Sequence, residues 1–322
     1  MNQAQIIIGD VYEQLRKLDQ GSVQTCITSP PYWGLRDYGN DGQLGLESTP
    51  DEYVANMVAV FAEVWRVLAD DGTLWLNLGD SYAAMRDSKA TPDTLRNGDG
   101  TKVNTAANRN PANLQRAGLK HKDLVGIPWR VAFALQSAGW YLRQDIIWHK
   151  PNPMPESVTD RCTKSHEYVF LLTKSARYYF DNQAIKEPSA NLGKTNIRFS
   201  GNKYGDGDDP KHATKSGNTY VDSGKRNKRT VWTINTKPFK GAHFAVMPES
   251  LVEPCILAGS KPDDLVLDPF AGSGTVGVVA LRHGRNFVGI ELNPDYAEIA
   301  RQRIEHDAPL FNEVSLMQRV NT

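Results

Sequence analysis

The apolar positions of the chain gather into short runs, and most of these runs stop on an acid, a proline or a glycine. Ile6-Ile7-Ile8 ends in Gly9-Asp10, and the amphipathic stretch from 11 to about 18 follows it as a helix. Val23-Gln24-Thr25-Cys26-Ile27 is a β-branched run that predicts a strand, closed abruptly by Thr28-Ser29-Pro30-Pro31-Tyr32-Trp33. Thr49-Pro50-Asp51-Glu52 then supplies a helix cap, a first-turn proline and two acids that suit the positive end of a helix dipole. Tyr53, Met57, Val60, Val64 and Leu68 recur at three- or four-residue intervals and mark the buried face of that helix. Residues 72–82 read as a near-continuous apolar strand, the pattern of a parallel sheet covered on both faces. A helix over 125–138, a strand over 140–148 and a strand over 166–173 follow, the last expected to be antiparallel. Near the end come a strand over 264–268, a helix over 275–283, a strand over 286–291 and a capped helix from Asn293. Strands alternating with helices predict an α/β fold around a mostly parallel sheet.

Two of the strand ends carry candidate chemistry. Proline has no N–H to donate and holds the residue before it extended, so Ser29-Pro30-Pro31 makes a rigid spout with Tyr32 and Trp33 beside it. Carbonyl and hydroxyl oxygens there can accept hydrogens from an amine while an aromatic ring stacks on the face of a flat base. At the other strand end, Asp268-Pro269-Phe270-Ala271-Gly272-Ser273-Gly274-Thr275 is an acid followed by a glycine-bracketed turn. Glycine lets the backbone approach a ligand closely, and the missing lysine excludes a phosphate-binding P-loop. The turn therefore suits a nucleoside-like cofactor without a phosphate chain. Glu291 ends the next strand, about 20 residues after the glycine turn, the spacing at which an acid meets ribose hydroxyls.

Residues 27–32 and 268–275 together resemble the catalytic and cofactor motifs of the DNA amino-methyltransferases, which methylate exocyclic nitrogens with S-adenosyl-L-methionine. The order, catalytic motif first and cofactor motif last, resembles the circularly permuted β group of that family. The resemblance implies a Rossmann-like methyltransferase fold, circularly permuted, with a mostly parallel seven-stranded sheet, one antiparallel strand and an inserted target-recognition region. It divides the chain into a catalytic part (1–186), a target-recognition region (187–240) and a cofactor-binding part of the same domain (241–322). It implies that Ser29, Pro30, Pro31 and Tyr32 are catalytic. It also implies that Asp10, Phe244, Asp268, Phe270, Gly272, Ser273, Gly274, Thr275 and Glu291 bind the cofactor, with Asp10 on its adenine amino group. Asp10 reads equally as a helix cap, and both roles are compatible. The stretch 243–251 resembles the motif before the cofactor strand, although Met247 stands where the family usually has phenylalanine. The family tends to show Ser-Pro-Pro-Tyr in cytosine-N4 enzymes and Asp-Pro-Pro-Tyr in adenine-N6 enzymes, so Ser29 favours N4-methylcytosine, with N6-methyladenine as the alternative. Methylation of RNA or of a protein amide, and a non-catalytic DNA-binding module, are the rival readings.

Composition and charge add three points. No stretch approaches the roughly 20 apolar residues that span a bilayer, and no signal peptide opens the chain, so a cytoplasmic protein, bacterial or phage-encoded, is expected with no membrane partner. Cys26, Cys162 and Cys255 are scattered, which argues for reduced thiols and no metal site. The formal net charge is zero, yet residues 191–240 hold eleven basic and four acidic side chains, an excess of seven positive charges. Phosphate contact supplies most sequence-independent DNA affinity, so this segment, with Lys225, Arg226, Lys228 and Arg229, is the expected contact to double-stranded DNA. Residues 85–122 hold few large apolar side chains and are expected to form a mobile insertion, with Arg86, Arg96, Arg109, Arg116 and Lys120 within reach of phosphates once ordered. Asp80 at a strand end reads either as a substrate-orienting acid or as a solvated turn, and His149 as structural or DNA-facing. A homodimer and a partner restriction endonuclease stay open.

Overall fold

The computed structural model describes residues 2–35, 39–40, 42–83, 115, 117–189, 195–199, 217–221, 224–236, 246–307 and 313–317. These form two compact units, one drawn from residues 1–181 and 230–322, the other from 182–229. Most of the segment 85–122, several of the basic residues of 191–240, and Phe244 lie outside the described residues.

The larger unit is built on one sheet. Its strands are β1 (Gln3–Ile8), β2 (Val23–Thr28), β3 (Leu68–Leu78), β4 (Tyr141–His149), β5 (His166–Thr173), β10 (Val231–Thr233), β11 (Leu265–Asp268), β12 (Asn286–Glu291) and β13 (Glu313–Met317); β6 to β9 belong to the smaller unit. They lie in the order β10-β4-β5-β3-β2-β11-β12-β1-β13, and of these β5 alone runs antiparallel to its neighbours. The seven expected strands form its continuous centre, and the sheet has nine because a short strand is added at each edge. Val231–Thr233 is three residues long and Glu313–Met317 only alternates between exposed and half-buried positions, so neither carries the apolar run that marks a central strand.

Helices cover both faces. On one face, Leu74, Leu76 and Leu78 of β3 share a core cluster with Tyr53, Met57, Phe61 and Val64 of α2 (Pro50–Val67) and Val131 and Leu135 of α3 (Ile127–Ser137). The period of two along a strand sends Thr73 and Trp75 to the opposite face, where they meet Gly259 at the end of α4 (Glu249–Gly259). The start of α2 is as its sequence dictates: Thr49 Oγ accepts from the amide of Glu52 at 3.2 Å, with Pro50 in the first turn. The first helix, α1 (Val11–Leu15), is shorter than the predicted 11–18, although its cap, Asp10, accepts from the amides of Tyr12 and Glu13. Asp80 has a structural part at its strand end. Its Oδ1 accepts from the amides of Gly126 and Ile127, at 3.0 and 3.1 Å, and supplies α3 with the cap that Gly126 lacks.

Strand order also positions the site. β2 and β11 are parallel neighbours, with Thr25 opposite Val266 and Cys26 opposite Leu267, so their carboxyl ends emerge side by side on one rim.

The smaller unit contains two antiparallel pairs, β6 (Glu187–Pro188) with β9 (Lys225–Arg226) and β7 (Thr195–Phe199) with β8 (Gly217–Val221). Glu187 Oε1 accepts from Arg226 Nε at 2.8 Å and from Arg229 Nε at 2.5 Å, which ties the first pair together. Among the described residues, no helix is long and apolar enough to cross a membrane, and no group of three or more His, Cys, Asp or Glu could hold a metal ion.

Candidate active site

A cavity of about 610 Å³ opens where β2 and β11 end. That size fits a drug-sized ligand with room for a second group. Two chemically different halves line it. One carries Asp10, Asp268, Phe270, Gly272, Ser273, Thr275 and Glu291; the other carries Ser29, Pro30, Pro31 and Tyr32 with Asn77, Trp148, Lys150 and Glu167.

The acid half is organised by carboxylates that have no basic partner among the described residues. Asp268 is 2 % exposed; its Oδ1 accepts from Thr28 Oγ at 2.6 Å and from the amide of Phe270 at 3.1 Å. Burial pushes its carboxyl up to about 7, against the pull of these two donors, and the nearby Glu291 charge adds to the rise. Glu291 bridges the turn: Oε2 accepts from the amide of Gly272 and Oε1 from that of Asn293, both at 2.8 Å. Its carboxyl is raised too, chiefly by burial. With Asp10, half-buried, as a third acid, this end of the cavity suits a cationic or hydroxyl-bearing ligand.

The glycine turn divides its labour. Gly272 (φ +51°) lines the cavity, whereas Gly274 (φ +74°) does not: a Cβ there would lie 2.9 Å from that of Ala300, on α6 (Pro294–Asp307). Gly274 is thus demanded by helix packing at the start of α5 (Thr275–Arg282), whatever its part toward a ligand. Ser273 and Thr275 line the cavity but accept bonds from Arg303 Nη1, at 3.1 and 2.8 Å. Phe244 lies outside the described residues.

The proline half is a hydrogen-bonded chain. Ser29 Oγ donates to the Tyr32 hydroxyl at 3.2 Å, and that hydroxyl lies 2.9 Å from Glu167 Oε2 and 3.1 Å from Asn77 Oδ1. Lys150 Nζ pairs with the other Glu167 oxygen and sits 4.1 Å above the Trp148 ring. Burial, reinforced by the Glu167 charge, holds the Tyr32 phenol well above its ordinary value. The spout itself is pinned from behind, because the Tyr53 hydroxyl donates to the Pro31 carbonyl at 2.9 Å. Behind Tyr32 there is room only for glycine: a Cβ on Gly79 would come 2.5 Å from its Cε2.

Asn77, Lys150, Glu167 and Gly79 carry no signal in the sequence. Each is a single polar or small residue on or beside a strand, and only the pairing of β3, β4 and β5 brings them together. His149 stays out of the cavity lining, its Nδ1 lying 3.2 Å from Thr233 Oγ on β10. Lys225, Arg226, Lys228 and Arg229 belong to the smaller unit.

Comparison with known proteins places the chain in a family. A DNA methylase family profile matches residues 23–302. The chain is 49% identical over 311 residues to the Type II methyltransferase M.Cfr9I of Citrobacter freundii, covering 95% of this chain and 89% of that protein. It is 48% identical over 304 residues to M.SmaI of Serratia marcescens, covering 94% and 91%. Among solved structures, the putative DNA modification methylase TTHA0409 of Thermus thermophilus, complexed with S-adenosyl-L-methionine, superposes with a TM-score of 0.63 at 22% identity, over 99% of this chain and 100% of that one. The cytosine-N4-specific PvuII DNA methyltransferase superposes with a TM-score of 0.61 at 19% identity, over 98% and 95%. These two likenesses are of fold, and they match the mostly parallel sheet with its antiparallel strand. On the family match and the near-half identity to relatives covered over most of their length, the chain belongs to the DNA methylase family of N6- and N4-type Type II methyltransferases.

Proposed function

We propose that this protein transfers the methyl group of S-adenosyl-L-methionine to the exocyclic amine of a cytosine turned out of double-stranded DNA, forming N4-methylcytosine. The observation that carries the reading is one cavity in which a cation-seeking acid half adjoins the Ser29–Tyr32 spout. Asp10, Asp268 and Glu291 would hold the cofactor, and the absence of basic partners among the described residues fits a ligand that bears positive charge. When bound, the cofactor supplies a methyl group already activated by its sulfonium. The target amine lies inside a duplex, so the base must leave the stack, at about a few kcal/mol. Ser29 and the Pro30 carbonyl would then accept the amine's hydrogens, Tyr32 would pack on the base, and holding both reactants in one pocket removes much of the entropic barrier. Met247 lines the cavity, so the residue that departs from the family's usual phenylalanine still reaches the ligand space.

The test is to express the protein in a host free of modified cytosine, digest the plasmid to nucleosides and weigh them. N4-methylcytosine is the expected product; N6-methyladenine would move the assignment to the other amine, and unmodified nucleosides would remove it.

The smaller unit is our candidate reader of DNA. Neutralising Lys225, Arg226, Lys228 and Arg229 together is expected to weaken DNA binding and flatten its logarithmic salt slope by about two units, at roughly 0.9 for each phosphate no longer neutralised. Glu187 already balances part of the charge of Arg226 and Arg229, so fewer than four phosphates are expected to be involved. Fluorescence anisotropy at several salt concentrations would measure it, and an unchanged slope removes the assignment. The Type II naming of the relatives supports a cytoplasmic role beside a partner restriction endonuclease.

A further inference from the structure

The cavity contains an acid to which the methylase motifs assign no part. Glu167 stands near the start of β5, the antiparallel strand, and its side chain is 17% exposed. Its two oxygens face different partners: Oε1 meets Lys150 Nζ, and Oε2 meets the Tyr32 hydroxyl, with Asn77 Nδ2 at 3.3 Å. Asn77 is itself anchored by donating to the Tyr168 carbonyl at 3.0 Å. Following the protons gives a direction to this cluster. A hydroxyl has one proton and two lone pairs. Tyr32 directs its proton to the carboxylate, the strongest acceptor within reach, so its oxygen can only accept from Ser29. Ser29 has then committed its own proton away from the cavity, and what it turns toward the ligand space is lone pairs.

Resting on the methyl-transfer reading above, we propose that Glu167 is the terminus of a relay, Ser29 to Tyr32 to Glu167, that fixes Ser29 as an acceptor for the target amine and takes up the proton that methylation releases. Atoms and charges balance. The N–C bond forms as the S–C bond breaks; the sulfonium becomes a neutral thioether, and the amine nitrogen carries one proton and one positive charge in excess. That proton passes to Ser29 Oγ as the serine proton moves to Tyr32 Oη and the tyrosine proton to Glu167 Oε2. Serine and tyrosine end as they began, Glu167 ends neutral, and Lys150 keeps its charge. No oxidant or further reactant is required. Glu167 touches neither substrate nor cofactor in this scheme and is a positioning residue. Lys150 steadies its charge before the reaction, and the Trp148 ring beneath that ammonium keeps it in place.

The experiment is a double-mutant cycle on single-turnover methyl transfer to DNA, with cofactor affinity measured alongside by titration. Tyr32→Phe keeps the ring and removes the relay's middle hydroxyl; Glu167→Gln removes its terminus. Each is expected to slow transfer by about 10- to 100-fold, with the cofactor dissociation constant within about twofold of wild type. The decisive result is the double variant. With the hydroxyl gone, Glu167→Gln should add less than about a threefold further loss, because a broken relay cannot be broken again. Glu167→Asp, which keeps the charge, should recover part of the rate and control for simple misfolding. Losses that multiply in the double variant, or single variants within threefold of wild type, would each overturn the relay. A wild-type enzyme that labels no DNA overturns the function as well, which separates the two failures.

Discussion

Asp268→Asn is expected to abolish tight cofactor binding while leaving the fold as stable as wild type or more so. The amide oxygen of asparagine can still accept from Thr28 and from the amide of Phe270, so the bond that joins the strand tips and the one that shapes the turn both survive. What disappears is a buried negative charge aimed at a cationic ligand, and charge-assisted bonds of this kind are worth about 2–3 kcal/mol, a loss of roughly 30- to 150-fold in affinity. Stability should move the other way. Burial raises the Asp268 carboxyl from 3.8 to about 7, so between those values the native state binds more protons than the unfolded chain. Stability contributed by this group therefore falls as pH rises from about 4 to about 7 and is level above that. Asparagine cannot titrate, and urea melts at pH 5 and pH 8 should show that the variant has lost this part of the slope. Cofactor affinity of the wild type should rise across the same upper range, as the carboxylate form becomes available. An Asp268→Asn protein that binds S-adenosyl-L-methionine at wild-type strength would remove Asp268 from the cofactor site.

Tyr32→Ala should have the opposite profile, intact cofactor binding and lost methyl transfer. The hydroxyl's partners are Ser29, Asn77 and Glu167, and none of them belongs to the acid half, so the cofactor dissociation constant is expected to change by less than about threefold. The base half loses two things together. An aromatic face against a base is worth about 1–3 kcal/mol, and removing the hydroxyl also frees the Ser29 proton to point into the cavity. Together these should lower the transfer rate constant by about 10²–10⁴-fold. Rapid-quench assays with labelled cofactor would measure it, and turnover near wild type would remove Tyr32 from the reaction.

The parts of the site that could be read in the sequence are those where backbone chemistry is unusual. Ser29-Pro30-Pro31 announces a strand end because proline cannot continue a ladder, and Asp268 to Thr275 announces a turn because glycines bracket it. Asp10 was legible twice, as a cap and as a cavity acid, and the structure has it in both places. Gly274 shows the limit of that logic. Its positive φ is real, but the neighbour that requires a missing side chain is Ala300, distant in the chain and brought close only once α6 is packed. Glu167, Lys150 and Asn77 were illegible for a different reason. A lone acid near the start of a strand, a lysine after one and an asparagine within one are ordinary surface residues until strand order makes them neighbours. Asp80 is the same lesson reversed: an acid at a strand end, readable as a substrate-orienting group or a turn, has its Oδ1 capping α3. At the sheet margins, β10 and β13 carried too few apolar residues to register at all.

The strand order has a consequence for how the protein comes into being. β1 pairs with β12 and β13, and β2 pairs with β11, so both find these partners only in segments made much later. On a ribosome, the emerging strands must wait with an unmatched edge until those segments follow, exposed to pairing with the wrong chain. Pairing across so long a separation is intrinsically slow. In return, a prematurely terminated chain that stops before Asp264 lacks Asp268, the glycine turn and Glu291, so a cell making such fragments gains no stray modifying activity from them.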